Sequence, residues 1–218
     1  MIDTTVKKFI VENQDLIKEH LFPTLYDKAL DKLQGSSIGL MTKFFLENGV
    51  DPLVLGKYKD GRPMDGIPDS YFNSYQELLK YEVLPNIRCI GESAFSHSGL
   101  YSCKLHNGLK TIESYAFYYC KNLVNIVIPD TVESIGGYAF CHSGLQDITL
   151  SGNLKLISPG TFKYCEHLHS IVIPSSVKHI SANAFADCPE DLVVYYDNNN
   201  IKIAAELQGM GIKHEGIK

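Results

Sequence analysis

Tryptophan is absent from this 218-residue chain, so aromatic packing and contact fall to 13 Tyr and 10 Phe. Positive charge is not in excess: 20 Lys and Arg face 25 Asp and Glu, a net charge of −5. The basic residues are scattered, which leaves no electrostatic footprint for nucleic acid or an anionic membrane. No apolar run reaches the length needed to span a bilayer. Acidic Glu12 and Asp15 interrupt the N-terminus before a secretory hydrophobic stretch is built, and the expected location is therefore cytoplasmic. A phosphate-cradling glycine loop, a nucleophile elbow, a His-Glu-x-x-His pair and an EF-hand are all missing. The chain is accordingly read as non-catalytic and without a cofactor.

What is present is a repeat. Ile67, Ile90, Ile112, Ile135, Ile157 and Ile180 are each followed five residues later by Phe72, Phe95, Phe117, Phe140, Phe162 and Phe185, with a small residue usually just before the Phe. Successive copies are spaced by 23 or 22 residues in alternation. That period belongs to leucine-rich solenoids. Aligning on Phe exposes further apolar columns. Leu78, Leu100, Leu123, Leu145, Leu168 and Leu192 come first. Three residues on come Tyr81, Cys103, Ile126, Ile148 and Ile171, and two further on Val83, Leu105, Ile128, Leu150 and Ile173. This alternation predicts a strand with one buried face, closed by proline at Pro129 and Pro174. A single copy cannot bury these positions, but a stack of copies can.

The length alternation has a local origin. Long copies read Phe117-Tyr-Tyr-Cys120-Lys-Asn-Leu123 and Phe162-Lys-Tyr-Cys165-Glu-His-Leu168. Short copies read Phe95-Ser-His-Ser-Gly-Leu100 and Phe140-Cys-His-Ser-Gly-Leu145, so a Ser-Gly pair is expected to make a tighter turn through the conformational freedom of glycine. His97 and His142 share one column there, which predicts stacked histidines on the solvent side.

The phrases Ile128-Pro-Asp-Thr-Val132-Glu-Ser-Ile135-Gly-Gly-Tyr-Ala-Phe140 and Ile173-Pro-Ser-Ser-Val177-Lys-His-Ile180-Ser-Ala-Asn-Ala-Phe185 resemble BspA-type leucine-rich repeats. The resemblance covers residues 67–192, and the tail from Leu192 is similar to the terminal cap of that family. It implies an α+β solenoid of six leucine-rich repeats over 67–192, with a C-terminal strand–helix–strand cap over 193–218. It also implies an alternative setting, that of an exported surface adhesin.

Residues 1–66 change period. Val6, Phe9, Ile10, Ile17 and Leu21 lie near helical spacing, and Pro23 and Gly35 bracket a second helical pattern. A helical N-terminal cap or a recruiting domain is expected there. The run Glu47-Asn-Gly-Val-Asp-Pro-Leu53 leading into Ile67-Pro-Asp-Ser-Tyr-Phe72 is similar to leaders placed before such repeats in some phage-encoded proteins, which implies a phage factor engaging a host protein.

Chemistry-bearing residues are few. Cys165, His167 and His169 are metal-ligating types, but no second pair completes a tetrahedral set, so no metal site is expected. Cys141 and His142 are adjacent and diverge on an extended turn, which argues against a nucleophile pair. An unrecognised enzyme or metal site would lie at the junction of 1–66 with the solenoid. Of the six cysteines, Cys120, Cys165 and Cys188 share an inward column and are expected to be buried, reduced thiols.

The remaining candidate is the outward row of the strands, where residues vary while the buried columns repeat. Tyr101, Lys104, Val124, Asn125, Val127, Gln146, Asp147, Thr149, His169 and Val172 make up the expected binding face. Exposed valines centred in a polar row suggest a contact patch, although valine also simply suits strands. Tyr118, Tyr119 and Tyr164 are expected to form an aromatic edge beside it. The expected partner is another protein, with neither nucleic acid nor membrane involved. Neither the partner's identity nor the oligomeric state is written in the sequence.

Overall fold

The computed structural model describes residues 65–217. The helical region expected over 1–66, its cap or recruiting role and its junction with the repeats lie outside those residues but for Asp65 and Gly66. Contacts divide the chain into one unit of Met1–Asp65 and a second of Gly66–Lys218, and the second is the one described.

Each repeat forms one coil carrying two short strands. The Ile column supplies one series: β1 (Gly66–Ile67), β3 (Cys89–Ile90), β5 (Thr111–Ile112), β7 (Ser134–Ile135), β9 (Leu156–Ile157) and β11 (His179–Ile180). The alternating apolar stretch supplies the other: β2 (Lys80–Glu82), β4 (Ser102–Lys104), β6 (Asn125–Val127), β8 (Asp147–Thr149), β10 (Ser170–Ile173) and β12 (Val193–Asp197). Helix α1 (Ile201–Gly209) and strand β13 (Lys213–Ile217) close the chain. Every pairing among the described strands is parallel, and those between repeats keep equivalent positions in register: Ile67 beside Ile90, Ile90 beside Ile112, Ile112 beside Ile135, and Ile126 beside Ile148. The strands are short because a coil of this length must turn several times, and proline ends those at Pro129 and Pro174.

The core is two heaped rows. All six Ile of the first column are buried, as are all six Phe. The Phe rings stack coil on coil with centroids 5.0, 5.1, 5.2, 5.9 and 5.5 Å apart and planes within 15° of parallel. Beneath the rings runs a backbone ladder. The amides of Phe72, Phe95, Phe117, Phe140 and Phe162 donate to the carbonyls of Ala94, Ala116, Ala139, Thr161 and Ala184 at 2.7–2.9 Å. That ladder explains the small residue before each Phe from Phe95 onward: Ala94, Ala116, Ala139, Thr161 and Ala184 are buried between coils, where a larger side chain has no room, and only in the first coil does a bulky residue, Tyr71, take the position.

Two features of the coil differ from expectation in their cause. First, Gly99 and Gly144 of the short copies do not take positive φ; among the described glycines only Gly160 and Gly211 do. They are needed for close approach instead, because a Cβ at Gly99 would land on the Gln76 carbonyl and one at Gly144 on the Lys121 carbonyl. Second, the left-handed turns are made by residues with side chains, two before and two after the Phe. Ser70, Ser93, Tyr115 and Tyr138 hold φ of 56–58° on one side, and Ser74, His97, Tyr119, His142, Tyr164 and Asp187 hold 56–60° on the other.

The cysteines pack as donors. Cys120, Cys165 and Cys188 each point a thiol at the carbonyl of the Phe one coil back, Phe95, Phe140 and Phe162, at 3.0–3.2 Å. In the short copies buried Ser98 and Ser143 take that column and touch the Cys120 and Cys165 sulfurs at 3.6 and 3.4 Å. All six cysteines are free.

At the C-terminal end, β12 continues the second strand series, with Val194 opposite Ile171 and Tyr196 opposite Ile173, and β13 pairs with β12 in turn. Asn200 caps α1 by accepting from the Ile203 amide at 3.3 Å, while its side-chain nitrogen donates to the Val177 carbonyl. The helix buries Ile203 and Leu207. Its Glu206 accepts from the Ile180 amide at 2.8 Å and meets His179 at 2.6 Å, tying the cap to β11.

Candidate functional site

The second strand series turns one side into the core and the other to solvent. Outward columns follow from the register: Glu82 beside Lys104, Asn125 beside Asp147, Val127 beside Thr149, Val172 beside Tyr195, and Tyr195 in turn beside Glu215. All ten residues of the expected face, Tyr101, Lys104, Val124, Asn125, Val127, Gln146, Asp147, Thr149, His169 and Val172, are exposed. The apolar ones are prominent: Val127 is 65 % exposed, Val172 51 %, Tyr101 43 % and Val124 38 %, with Leu79 at 52 % beside them. Their outward placement is forced, because Ile126, Ile128, Ile171 and Ile173 fill the inward positions on either side.

Charges on this face are mixed. Lys104 meets Glu82 at 2.7 Å across two coils, an exposed pair worth about 0.2–1 kcal/mol. Lys80 reaches over the Tyr101 ring at 5.3 Å, and its hydrogen bond with the Tyr101 phenol raises the ammonium's pKa. His169 pairs with Asp191 at 2.9 Å, and that hydrogen bond holds the Asp191 carboxyl below its ordinary value. The face expected from the sequence ends at Val172. The register carries it on through half-buried Tyr195 and exposed Glu215. The alternation in Val193–Asp197 signals this extension.

Beside the sheet, at the turns after the Phe column, lies an aromatic ladder. His97, Tyr119, His142 and Tyr164 follow one another in that order, with centroids 4.8, 4.6 and 4.3 Å apart; the outer two pairs are stacked and the central Tyr119–His142 pair is tilted by 45°. The two histidines therefore do not stack on each other as expected; a long copy stands between the short ones and inserts a tyrosine. Tyr118 packs edge-on against His97, Tyr115 and His142, and Tyr115 stacks on Tyr138 at 5.3 Å. Lys121 and Lys163 lie over the Tyr119 and Tyr164 rings at 4.6 and 5.0 Å. Burial raises the Tyr118 phenol's pKa and lowers that of the His142 imidazole. The expected edge of Tyr118, Tyr119 and Tyr164 is thus part of a larger cluster. The signal that identifies its other members is their constant offset of two residues from Phe.

The residues weighed for catalysis or metal binding do not converge. Cys165 is buried and spends its thiol on the Phe140 carbonyl, whereas His167 and His169 are exposed. Cys141 is buried and its pKa pushed up to about 11 by desolvation, only partly offset by Lys163, while the neighbouring His142 stacks on Tyr164. Among the described residues no group of three or more His, Cys, Asp or Glu is placed to hold a metal ion. No helix among them is long and apolar enough to cross a membrane.

Comparison with known structures returns the same architecture. The chain is similar to the pneumococcal vaccine antigen PcpA, with a TM-score of 0.54 and 22 % identity over 74 % of this chain and 44 % of that one. It therefore spans less than half of the antigen's length. It is also similar to the leucine-rich repeat protein of T. pallidum, with a TM-score of 0.50 and 23 % identity over 72 % of this chain and 81 % of that one. At such identities the likeness concerns the fold. A search of curated protein sequences found no match. Residues 65–203 match the BspA type leucine rich repeat region in six copies, and the chain belongs to that family.

Proposed function

We propose that this chain is a non-catalytic binding module that engages a partner protein through the outward face of the second strand series. The observation that carries the reading is the row of exposed apolar residues, Val127 and Val172 above all, set among polar neighbours on the parallel-paired strands of successive coils. Apolar residues gathered on one face of a protein mark contact sites more often than singly scattered ones do. A stacked scaffold holds them in place without ordering cost when a partner arrives.

The experiment is capture of a partner by the immobilised chain from a native lysate, compared with Val127→Glu and Val172→Glu and their combination. Loss of at least about tenfold in capture, equivalent to roughly 1.4 kcal/mol, is expected for the pair. Thermal unfolding should stay nearly unchanged, because both side chains are solvent-facing. Undiminished capture would refute the assignment of this surface. The finer version, a phage factor whose partner is a host protein, rests on the phrase from Glu47 to Phe72, most of which lies outside the described residues. A captured protein encoded by the host supports it. An exported adhesin would use the same face outside the cell, and fractionation of native cells separates the two settings.

A further inference from the structure

The outward face of the second strand series is not evenly charged along the stack. In its first two coils the charges are engaged within the chain, Lys104 with Glu82 and Lys80 over the Tyr101 ring. From β8 onward carboxylates dominate. Asp147, Asp191 and Glu215 are exposed on or beside the strands, and the turns leading into β10 and β12 add exposed Glu166 and Glu190. The cations among them are Lys213 and, once protonated, His167 and His169. Asp191 is engaged by His169 at 2.9 Å, whereas Asp147 and Glu215 form no ion pair with any described residue. These two border the apolar row. Val127, Val172 and Tyr195 share one outward column, with Thr149 between the valines. Asp147 stands two residues before Thr149 on the same side of β8, and Glu215 closes the column beyond Tyr195. An apolar row bordered by carboxylates without a counter-charge of their own is complementary to apolar side chains flanked by cations.

We propose that the face from β6 to β13 takes a basic amphipathic helix of a partner protein, its apolar stripe on Val127, Val172 and Tyr195 and its Lys or Arg side chains against Asp147 and Glu215. The proposal rests on the reading of this face as the binding surface and adds the chemistry of what it binds. Charge decides the sign of the partner, and spacing decides its conformation. At about 4.8 Å per coil, Val127 and Val172 lie about 9.6 Å apart along the stack, and Tyr195 about 4.8 Å further on. On a helix lying along the stack, residues seven apart are separated by about 10.5 Å, and residues three or four apart by about 4.5–6 Å, so both steps are met. An extended strand repeats a face only every ~6.7 Å and meets neither. The cations of such a helix reach the bordering carboxylates from beside its stripe, as the long stems of Lys and Arg allow. Asp147 and Glu215 then gain the counter-charges that their own chain withholds.

Fluorescence anisotropy of labelled synthetic peptides of about 14 residues, roughly 21 Å as a helix, titrated with the full chain, tests this. The reference peptide carries Leu along a helical stripe and Lys elsewhere, and it should bind. Its affinity should fall by about tenfold or more with Asp147→Asn/Glu215→Gln, and should weaken steadily as salt is raised. Removing two carboxylates elsewhere, Glu92→Gln/Glu205→Gln, should change it by less than about twofold. Both pairs are exposed, so the unfolding midpoint should stay in place for each. Three altered peptides should each bind about tenfold or more weakly: Glu in place of Lys, the same residues scrambled to destroy the stripe, and a central proline that breaks the helix. A reference peptide that does not bind, or that ignores Asp147→Asn/Glu215→Gln, overturns the proposal. Equal binding of the Glu peptide overturns its charge, and equal binding of the proline peptide overturns its helix. The two readings fail separately. Lysate capture that is lost with Val127→Glu/Val172→Glu while the basic peptide does not bind refutes this partner chemistry alone, whereas capture indifferent to both valines refutes the face itself.

Discussion

Truncating Phe117 to alanine removes the middle of the ring stack. Phe117 is fully buried, with Phe95 at 5.1 Å on one side and Phe140 at 5.2 Å on the other, the planes within 6° of parallel. A buried Phe→Ala change costs about 3–5 kcal/mol, of which the upper part comes from a cavity the surroundings do not fill. Collapse is hard here, since the Phe117 amide is tied to the Ala139 carbonyl at 2.8 Å and the Phe95 amide to the Ala116 carbonyl at 2.8 Å. The upper half of the range is therefore expected. The defect also loosens two coil interfaces at once, and a stack held by nearest neighbours transmits that loss to both sides. With a urea slope of about 2 kcal/mol/M, a loss of roughly 4 kcal/mol lowers the midpoint by about 2 M. Phe185 has one ring neighbour, Phe162 at 5.5 Å, so its truncation should cost measurably less. Equilibrium urea unfolding of the two variants beside the parent chain is the assay. A Phe117→Ala loss below about 1 kcal/mol, typical of surface positions, would mean that the rings do not bear on one another and that the stacked core is misread.

Gly144→Ala should destabilise by about 1–3 kcal/mol by forcing a methyl group onto the Lys121 carbonyl, whereas Gly209→Ala, with open space around it, should leave the urea midpoint nearly unmoved or raise it. Alkylation with iodoacetamide followed by mass spectrometry should spare Cys120 and Cys165, whose pKa values burial pushes up to about 12, and reach them only in denaturant; half-buried Cys89 should react first among the described cysteines. Rapid modification of Cys120 in the native state would contradict its donor role. Burial pushes the Glu206 carboxyl up, but His179, the Ile180 amide and Lys202 outweigh it and hold the pKa below its ordinary value. Its contribution is thus complete above the unfolded-state pKa of about 4.3 and is lost as pH falls through the folded value. Hydrogen exchange of the Ile203 and Leu207 amides should accelerate in that acid window, Glu206→Gln should flatten the dependence, and Glu206→Ala should cost about 1–3 kcal/mol at neutral pH; exchange indifferent to both variants would sever the proposed tie between α1 and β11.

The repeat made the architecture readable before any coordinates, because its signal is local and recurs. Ile at one offset, Phe five residues on and alternation beyond are imposed by burial inside every coil, and six copies average away the exceptions at Tyr81 and Cys103. The outward row was readable by the same alternation, being what the buried columns leave over. Stacking settled what no single coil contains. That Gly144 is demanded by the Lys121 carbonyl, that Val193–Asp197 forms one more rung beneath Ser170–Ile173, and that His142 lies between Tyr119 and Tyr164 are all relations between residues about 22 positions apart. Their physical origin is the distance between adjacent coils, which sets ring against ring and backbone against backbone. A linear pattern records which face a residue takes, but only the stacked chain shows what it meets there.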